Sequence, residues 1–129
     1  MKRANATAHS VLEQRWARIG LGVRCAYNLQ RPDLLHRYVQ AGRCLSRLQP
    51  LREAIVQRRM LDLLLHTAAD EALPWFWRAA CLEQTAWPLA RLSSLWKSSD
   101  LATAQAPAQL EARVQRAGEQ LGLPSETTP

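Results

Sequence analysis

In this chain of 129 residues, the number and spacing of the arginines give the clearest indication of a binding chemistry. Fifteen arginines accompany only two lysines, and eleven of the arginines fall within residues 1–60. The planar guanidinium binds a phosphate or a carboxylate through two parallel hydrogen bonds, which suits it to interfaces with polyanions. Helical spacing allows six of them to form one basic surface: Arg37, Arg43, Arg47, Arg52, Arg58 and Arg59. We therefore expect this surface to contact the phosphates of RNA or DNA without reading bases, or an acidic protein surface.

The net charge is divided unevenly between the two halves of the chain. Residues 1–60 carry twelve basic and three acidic side chains, a balance of +9, whereas residues 61–129 carry five basic and eight acidic ones, a balance of −3. A field of one sign attracts an oppositely charged partner and accelerates its association. The alternatives are an ordinary solvated face and a biased composition, since a chain rich in alanine, arginine and leucine is also typical of a GC-rich genome.

A second candidate site is the run of aromatic residues Trp75-Phe76-Trp77. Consecutive helical residues point about 100° apart, so these three rings cannot all enter one core, and at least one of them should be exposed. Exposed tryptophans are typical of partner interfaces, and we expect Trp75, Trp77 and Trp96 to contact a protein partner. The alternative is a core that surrounds most of these rings from several sides. In the absence of a partner, residues 107–129 could cover the cluster.

Residue types that form catalytic, cofactor and metal sites are scattered along the chain. His9, His36 and His66 form no His-x-x-x-His pair and no cluster with cysteine, so no metal site is expected. The chain lacks a glycine-rich phosphate loop, a nucleophile elbow and paired carboxylates at catalytic spacing. These features predict a non-enzymatic protein with no catalytic residue, no metal ligand and no cofactor.

Cysteine usage and hydropathy indicate a cellular compartment. Cys25, Cys44 and Cys81 are odd in number and lack Cys-x-x-Cys spacing, which indicates small buried thiols in a reducing environment rather than a disulfide framework. The N-terminal residues lack the apolar segment of a secretory signal. The longest strongly apolar stretch, residues 61–65, is too short to span a bilayer. We therefore expect a cytoplasmic protein that does not enter a membrane.

Apolar residues recur at helical spacing along the chain, and no segment shows the alternation typical of a strand. The predicted fold is all-α, a small bundle of four or five helices with short turns marked by proline. The expected helices cover residues 10–30, 32–48, 51–69, 73–98 with a kink at Trp87-Pro88, and 107–122. The predicted organisation is a bundle core over residues 1–98, a linker over 99–106, a short amphipathic helix over 107–122 and a disordered tail over 123–129.

The sequence pattern also predicts details of two helices. In the first helix, Trp16 belongs to an apolar stripe with Ile19 and Val23, while Ser10 and Glu13 have the spacing of a capping box. In the third helix, the predicted buried residues are Leu51, Ala54, Ile55, Leu61, Leu64, Leu65 and Ala68. The apolar stripe of the first helix predicts that Trp16 is essential to the core.

Short segments resemble three known families. Leu12-Glu-Gln-Arg-Trp-Ala-Arg18 is similar to the opening of small helical subunits of CRISPR effector complexes, which implies contact with a guide or target strand. Arg15-Trp-Ala-Arg-Ile-Gly-Leu21, followed by Asp33-Leu-Leu35, is similar to flagellar and type III export chaperones, which implies a secreted protein as partner. Arg31-Pro-Asp-Leu-Leu-His36 and Arg59-Met-Leu-Asp-Leu-Leu-Leu-His66 resemble the signature of helical HEPN ribonucleases, in which the histidine activates a 2′-hydroxyl and the arginine supports the phosphate.

Three functions follow from these patterns, in order of preference. The first is an all-helical, nucleic-acid-binding accessory subunit of a larger assembly, which contacts phosphates through the arginine-rich first half of the chain. The alternative is a helical adaptor or export chaperone that holds a protein partner against a tryptophan-bearing surface. A small helical ribonuclease is the third.

Overall fold

The computed structural model describes the backbone of residues 2–98 and 105–123, and the side chains of residues 11–97 and 108–123. Among those residues it contains six α-helices and no strand. The helices are α1 (Lys2–Cys25), α2 (Asp33–Leu48), α3 (Glu53–Ala69), α4 (Trp75–Glu83), α5 (Ala86–Ser98) and α6 (Gln105–Gln120), with a 3-10 turn at Pro50–Arg52. The prediction of a small all-α bundle is confirmed, and the helix expected over residues 73–98 corresponds to the pair α4 and α5.

The start of α1 differs from the one that the sequence pattern predicts. The helix extends back to Lys2, so Ser10 lies in its interior and is not an N-cap. The expected capping box with Glu13 therefore does not form. The Glu13 carboxylate instead accepts hydrogen bonds from Arg52 and Arg59, which lie 39 and 46 positions later in the chain.

The end of α1 also comes earlier than predicted, at Cys25. Ala26 has a φ of 50°, a left-handed conformation that does not continue a right-handed helix. Trp77 of α4 contacts this end, because its indole Nε1 donates to the Val23 carbonyl at 2.9 Å. The same carbonyl accepts from the Ala26 N–H at 3.2 Å, so Trp77 adds a second donor in the last turn, where a helix has few intrahelical donors.

Proline marks three of the connections between helices, as predicted. Pro32 immediately precedes α2, and Pro74 immediately precedes α4. Pro50 begins the 3-10 turn that leads into α3. Proline has no N–H group, and the first turn of a helix leaves its N–H groups without intrahelical acceptors, so proline is well tolerated there while it ends the preceding segment.

The kink expected at Trp87-Pro88 is instead a break between two helices a few residues earlier. α4 ends at Glu83, and α5 begins at Ala86. The Thr85 hydroxyl between them donates to a carbonyl in the last turn of α4 at 2.6 Å. Proline 88 consequently lies in the first turn of α5, where its missing N–H interrupts no helical hydrogen bond.

α3 lies at the centre of the fold because it contributes to two apolar clusters. The first cluster joins α3 to α1, α2 and α4. Its buried members are Trp16, Val23, Leu35, Tyr38, Leu45, Val56, Met60, Leu64, Trp77 and Cys81. The second cluster joins α3 to α4, α5 and α6. Its buried members are Leu61, Leu65, Ala68, Leu82, Leu92, Leu110, Ala117 and Leu121.

The buried face of α3 differs from the prediction near its start. Three of the predicted core residues are exposed, namely Leu51, Ala54 and Ile55. The residues Pro50–Arg52 form a 3-10 turn with about three residues per turn, so the α-helical register begins only at Glu53. Val56 and Met60 take the first buried positions instead. The later predicted positions are buried as expected: Leu61, Leu64, Leu65 and Ala68.

Two glycines allow close approach between helices. A Cβ atom at Gly20 of α1 would lie 2.8 Å from the ring of Tyr38 in α2. A Cβ atom at Gly42 of α2 would overlap the side chain of Met60 in α3 and lie 3.2 Å from the indole nitrogen of Trp16. Since separations below 3.0 Å essentially never occur for a Cβ atom, a larger residue at either position forces its neighbours to move.

α6 packs onto the bundle through the second cluster. Leu110, Ala117 and Leu121 are its buried residues there. The helix begins at Gln105, slightly before the predicted start at residue 107. Residues 99–104 of the predicted linker and 124–129 of the predicted tail lie outside the described part of the chain.

The three cysteines lie in different environments. Cys81 is fully buried in the first cluster, and burial raises the pKa of its thiol to about 12. Cys25 and Cys44 are exposed, so the prediction of buried thiols is wrong for these two. Cys25 is the last residue of α1, and Cys44 lies on a part of α2 that does not reach the core.

We expect an alkylating reagent at about pH 8 to modify two thiols rapidly in the native chain and all three in denaturant, because alkylation requires an accessible thiolate. Intact-mass spectrometry counts the adducts. The Cys44→Ser variant is the control and should take up a single adduct under native conditions. Three rapid adducts on the native chain would contradict the burial of Cys81.

Candidate functional site

The six arginines of the predicted basic surface lie on α2, α3 and the 3-10 turn between them. α2 carries Arg37, Arg43 and Arg47, the turn ends with Arg52, and α3 carries Arg58 and Arg59. α2 and α3 pack against each other, so the six side chains lie on neighbouring elements. Five of the six are exposed, and Arg43 is partly buried.

Arg52 and Arg59 share one carboxylate. Arg52 donates to both oxygens of Glu13, at 3.2 and 3.3 Å, and Arg59 donates to one of them at 3.2 Å. The Arg59 guanidinium also lies 4.9 Å from the centre of the Trp16 ring, within cation–π distance. Two positive charges therefore face one negative charge, and the group keeps one unit of positive charge.

Asp33, the first residue of α2, is shared in the same way. Arg31 donates to both of its oxygens, at 3.3 and 2.7 Å, and Arg37 lies 3.4 Å from one of them. The hydrogen bonds from Arg31 lower the pKa of the Asp33 carboxyl, which favours its ionised form. This group also keeps one unit of positive charge.

Asp62 of α3 is the third shared carboxylate. Arg58, one turn earlier in the same helix, donates to it at 3.2 and 3.3 Å. Arg113 of α6 donates to the same carboxylate at 3.2 Å, which links α6 to α3. With two guanidinium groups and one carboxylate, this group has the same surplus charge as the other two.

Composition suggests a surface of unpaired arginines, but most of the six arginines form ion pairs with carboxylates. Glu13, Asp33 and Asp62 pair with four of the six predicted arginines. Helical i,i+4 spacing pairs Asp33 with Arg37 and Asp62 with Arg58, whereas tertiary structure brings Glu13 to the other two arginines. Because each carboxylate serves two arginines, the positive charge is reduced and not cancelled. In the described part of the chain, Arg47 is the exposed member of the six with no hydrogen bond or ion pair.

Arg43 and Arg47 lie at a cleft of about 380 Å³ between α2, the start of α3 and α5. The Arg43 guanidinium is 4.4 Å from the centre of the Trp87 ring. On the opposite side, Arg91 of α5 donates through Nε to the Glu53 carboxylate at 2.7 Å, and its terminal nitrogen contacts the same oxygen. The residues that line the cleft include Arg43, Ser46, Arg47, Glu53, Trp87 and Arg91.

Arg91 is the arginine of the cleft that the sequence patterns do not predict. It belongs to the acidic second half of the chain, where no basic surface is expected. Trp87 and Arg91 are four residues apart and so share one face of α5, a signal that could have placed a cation near that ring. The spacing does not reveal that this face meets Glu53, which lies 38 positions earlier than Arg91.

The aromatic cluster is divided between core and surface. Trp77 is 1% exposed and bonded to α1, so the structure does not present it as the partner contact that the sequence predicts. Trp96 is partly buried against the second cluster. Trp75 is 54% exposed, and its Nε1 donates to the Leu121 carbonyl at 2.7 Å, which brings the end of α6 to the cluster. Phe76 is also about half exposed.

Large apolar side chains are exposed at the corner between α2 and α3. Leu48, the last residue of α2, and Ile55, in the first turn of α3, are each about half exposed. Leu51, in the 3-10 turn, is fully exposed. Apolar side chains exposed within one short segment are typical of protein contacts.

The histidines provide no metal site in the described residues, where no group of three His, Cys, Asp or Glu side chains could hold a metal ion. His36 and His66 are exposed on α2 and α3. Arg31 and Arg59, the arginines of the two ribonuclease-like segments, are each bonded to a carboxylate. The side chain of His9 lies outside the described residues.

A search for membrane-spanning helices and comparisons with known proteins give no further indication of function. Across residues 2–98 and 105–123, no helix combines the length and the apolar character that a membrane span requires. No protein-family model, no curated protein and no solved structure matches this chain.

Proposed function

We propose that the chain is a non-enzymatic accessory subunit that binds RNA or DNA through phosphate contacts. The observation that carries the proposal is that Glu13, Asp33 and Asp62 are each shared by two arginines, which leaves one positive charge in every group. Arg47 adds a further charge that no carboxylate of the described residues neutralises. The arginine surface comprises Arg37, Arg47, Arg52, Arg58 and Arg59.

Ion pairing prepares the arginine surface for phosphate. Each guanidinium has five N–H donors, and a carboxylate uses only some of them, so the others can bond to a phosphate. A side chain that is already held in place loses less conformational freedom when a ligand binds. Exposed ion pairs contribute only about 0–1 kcal/mol, so an arginine can exchange a carboxylate for a phosphate with little loss.

The arginine surface suits the backbone of a nucleic acid better than its bases. Phosphate contacts fix the position of a strand but carry no sequence information. Base stacking needs exposed aromatic rings among the arginines, whereas Trp16 is buried and Trp87 lies against Arg43. We therefore expect similar affinities for unrelated sequences of equal length.

Fluorescence anisotropy with random-sequence single- and double-stranded oligonucleotides tests the proposal. The logarithm of affinity should fall linearly with the logarithm of salt concentration, with a slope of about −0.9 for each duplex phosphate neutralised. A variant with Arg37→Ala, Arg47→Ala and Arg58→Ala should flatten this slope by about 2.7 and weaken binding about 100-fold or more at about 0.1 M salt. The fold should persist, because Asp33 and Asp62 each keep a second arginine.

The matched control removes the same charge elsewhere, through Arg15→Ala, Arg18→Ala and Arg116→Ala at exposed positions on α1 and α6. It should lower affinity much less, because these side chains act only through the long-range field. An equal loss in the two triple variants would contradict a localised surface. The proposal fails altogether if the parent chain binds no oligonucleotide at about 20 mM salt, where phosphate contacts are strongest.

A second function, that of a helical adaptor or export chaperone, is favoured by a different observation. Leu48, Leu51 and Ile55 are exposed, and Arg47 and Arg52 are their neighbours in sequence. An apolar centre with a basic rim fits an acidic protein partner that also offers apolar residues. The same three residues could join the chain to the larger assembly that an accessory role requires. If the parent chain binds no nucleic acid, the adaptor function becomes the better explanation of both features.

A further inference from the structure

The cleft between α2 and α5 concentrates charge in a concave site, whereas the arginine surface is spread over outer helix faces. Its charged lining residues are Arg43, Arg47, Arg91 and Glu53, which give it a net charge of +2. Arg91 and Glu53 are bonded to each other, so Arg43 and Arg47 supply the excess. The volume of about 380 Å³ falls within the range of about 300–1,000 Å³ that is typical of small-molecule sites.

The net charge of the cleft distinguishes between two kinds of phosphate. A phosphate inside a strand is a diester with a single negative charge. A phosphate at the end of a strand is a monoester, which carries about −1.5 to −2 at pH 7. The monoester therefore matches a charge of +2, while a diester or a carboxylate leaves part of the positive charge without a partner.

Arg43 supplies an independent observation. Its Nε is buried and has no hydrogen-bond partner within the described residues. Such a donor is unfavourable in a folded protein unless a ligand or another group satisfies it. The Trp87 ring, 4.4 Å away, restricts where the guanidinium can move to find an acceptor. Arg43 lines the cleft and forms no hydrogen bond or ion pair within the described residues, so an anion in the cleft would give its guanidinium an acceptor.

We propose that the cleft binds a phosphate monoester, the terminal phosphate of a nucleic-acid strand, with Arg43 and Arg47 as donors and Arg91 as a supporting cation. The Ser46 hydroxyl donates to a backbone carbonyl of α2 and accepts from Gln57, so recognition depends on the arginines. The inference deepens the proposed function and rests on it, because a strand on the arginine surface would bring its end to the cleft. Arg47 belongs to both sites and connects them.

Three oligonucleotides of one sequence with an internal dye test this inference, one with a 5′-phosphate, one with a 3′-phosphate and one with neither. We expect one phosphorylated end to bind about tenfold more tightly than the unphosphorylated strand, a gain typical of charge-assisted hydrogen bonds. Arg47→Ala should abolish this ratio, and it should fold because Arg47 is exposed and without a partner in the described residues. Arg37→Ala, the control on the same helix, should weaken all three strands equally and preserve the ratio.

The outcomes separate this inference from the proposed function. Equal affinities for the three strands, with steep salt dependence, overturn the terminal-phosphate site and leave the proposed function standing. A ratio that survives Arg47→Ala also overturns the site. If no strand binds, the proposed function fails, and calorimetric titration with a nucleoside monophosphate and with the nucleoside tests the cleft alone. Binding of the monophosphate that depends on Arg47 supports a monoester site for a free nucleotide, and its absence overturns the site.

Discussion

Replacing Trp16 by alanine is expected to lower the free energy of unfolding by about 3–5 kcal/mol, the usual loss for a buried tryptophan. Trp16 is 1% exposed, and its ring stacks on Tyr38 with centroids 5.5 Å apart and 4° between the planes. The substitution also removes the ring beneath Arg59 and the surface that fits Gly42. A loss of this size approaches the total stability of many small domains, which is about 5–15 kcal/mol.

Urea denaturation followed by circular dichroism measures this change, with Arg18→Ala as the control on the same helix. Arg18 is exposed, and its replacement should alter stability by no more than about 0.5 kcal/mol. If Trp16→Ala does not fold, Trp16→Phe retains an aromatic ring and should fold with an intermediate loss. Small and similar effects for Trp16→Ala and Arg18→Ala would contradict the place of Trp16 in the first cluster.

The other large effect is expected at Leu110 in α6. Leu110 is 2% exposed and belongs to the second cluster, together with Leu61, Leu65 and Leu92. Leu110→Ala should lower the free energy of unfolding by about 2–5 kcal/mol, because it removes buried methyl groups and leaves a cavity. Gln109→Ala changes the exposed neighbour and should alter stability by no more than about 0.5 kcal/mol.

The Leu110 variant also distinguishes a structural α6 from a detachable cover over the aromatic cluster. If α6 belongs to the cooperative core, thermal unfolding followed by circular dichroism and by tryptophan fluorescence should give one coincident transition. If α6 detaches, Leu110→Ala should leave the main transition in place and add an earlier fluorescence change at Trp75, whose indole is bonded to Leu121. The burial of Leu110 and Leu121 favours the first result.

The helices could be predicted from the sequence because local features determine most of their limits. Apolar spacing and proline act within a few residues, and α2 covers almost the same residues as predicted. The start of α3 could not be predicted, because a 3-10 turn at Pro50–Arg52 shifts the register without a distinct sequence signal. The break before α5 lies at Gln84 and Thr85, where the Thr85 hydroxyl donates to a carbonyl of α4, and the proline at position 88 gives a stronger signal at the wrong place.

The arginines of the candidate site could be predicted, and i,i+4 spacing could have paired two of them with Asp33 and Asp62, but the long-range electrostatic partners could not be predicted. Composition counts acidic residues without locating them, and Glu13 lies 39 and 46 positions from Arg52 and Arg59. The cleft has the same limitation, because Arg91 reaches it only through the packing of α5 against α3. Trp77 is a related case, since only tertiary structure shows which rings of an aromatic run enter the core.

The shared carboxylates have a consequence for which anions the arginine surface would accept. Glu13, Asp33 and Asp62 act as internal counter-ions, which reduce the repulsion that a group of bare guanidiniums would impose on the folded chain. Each carboxylate is tethered, so its effective concentration is high, and a monovalent ion such as chloride competes poorly with it. A strand carries many phosphates on one backbone and competes for several arginines together. The sharing of carboxylates would thus favour the binding of a polyanion to this surface over the binding of single anions such as chloride.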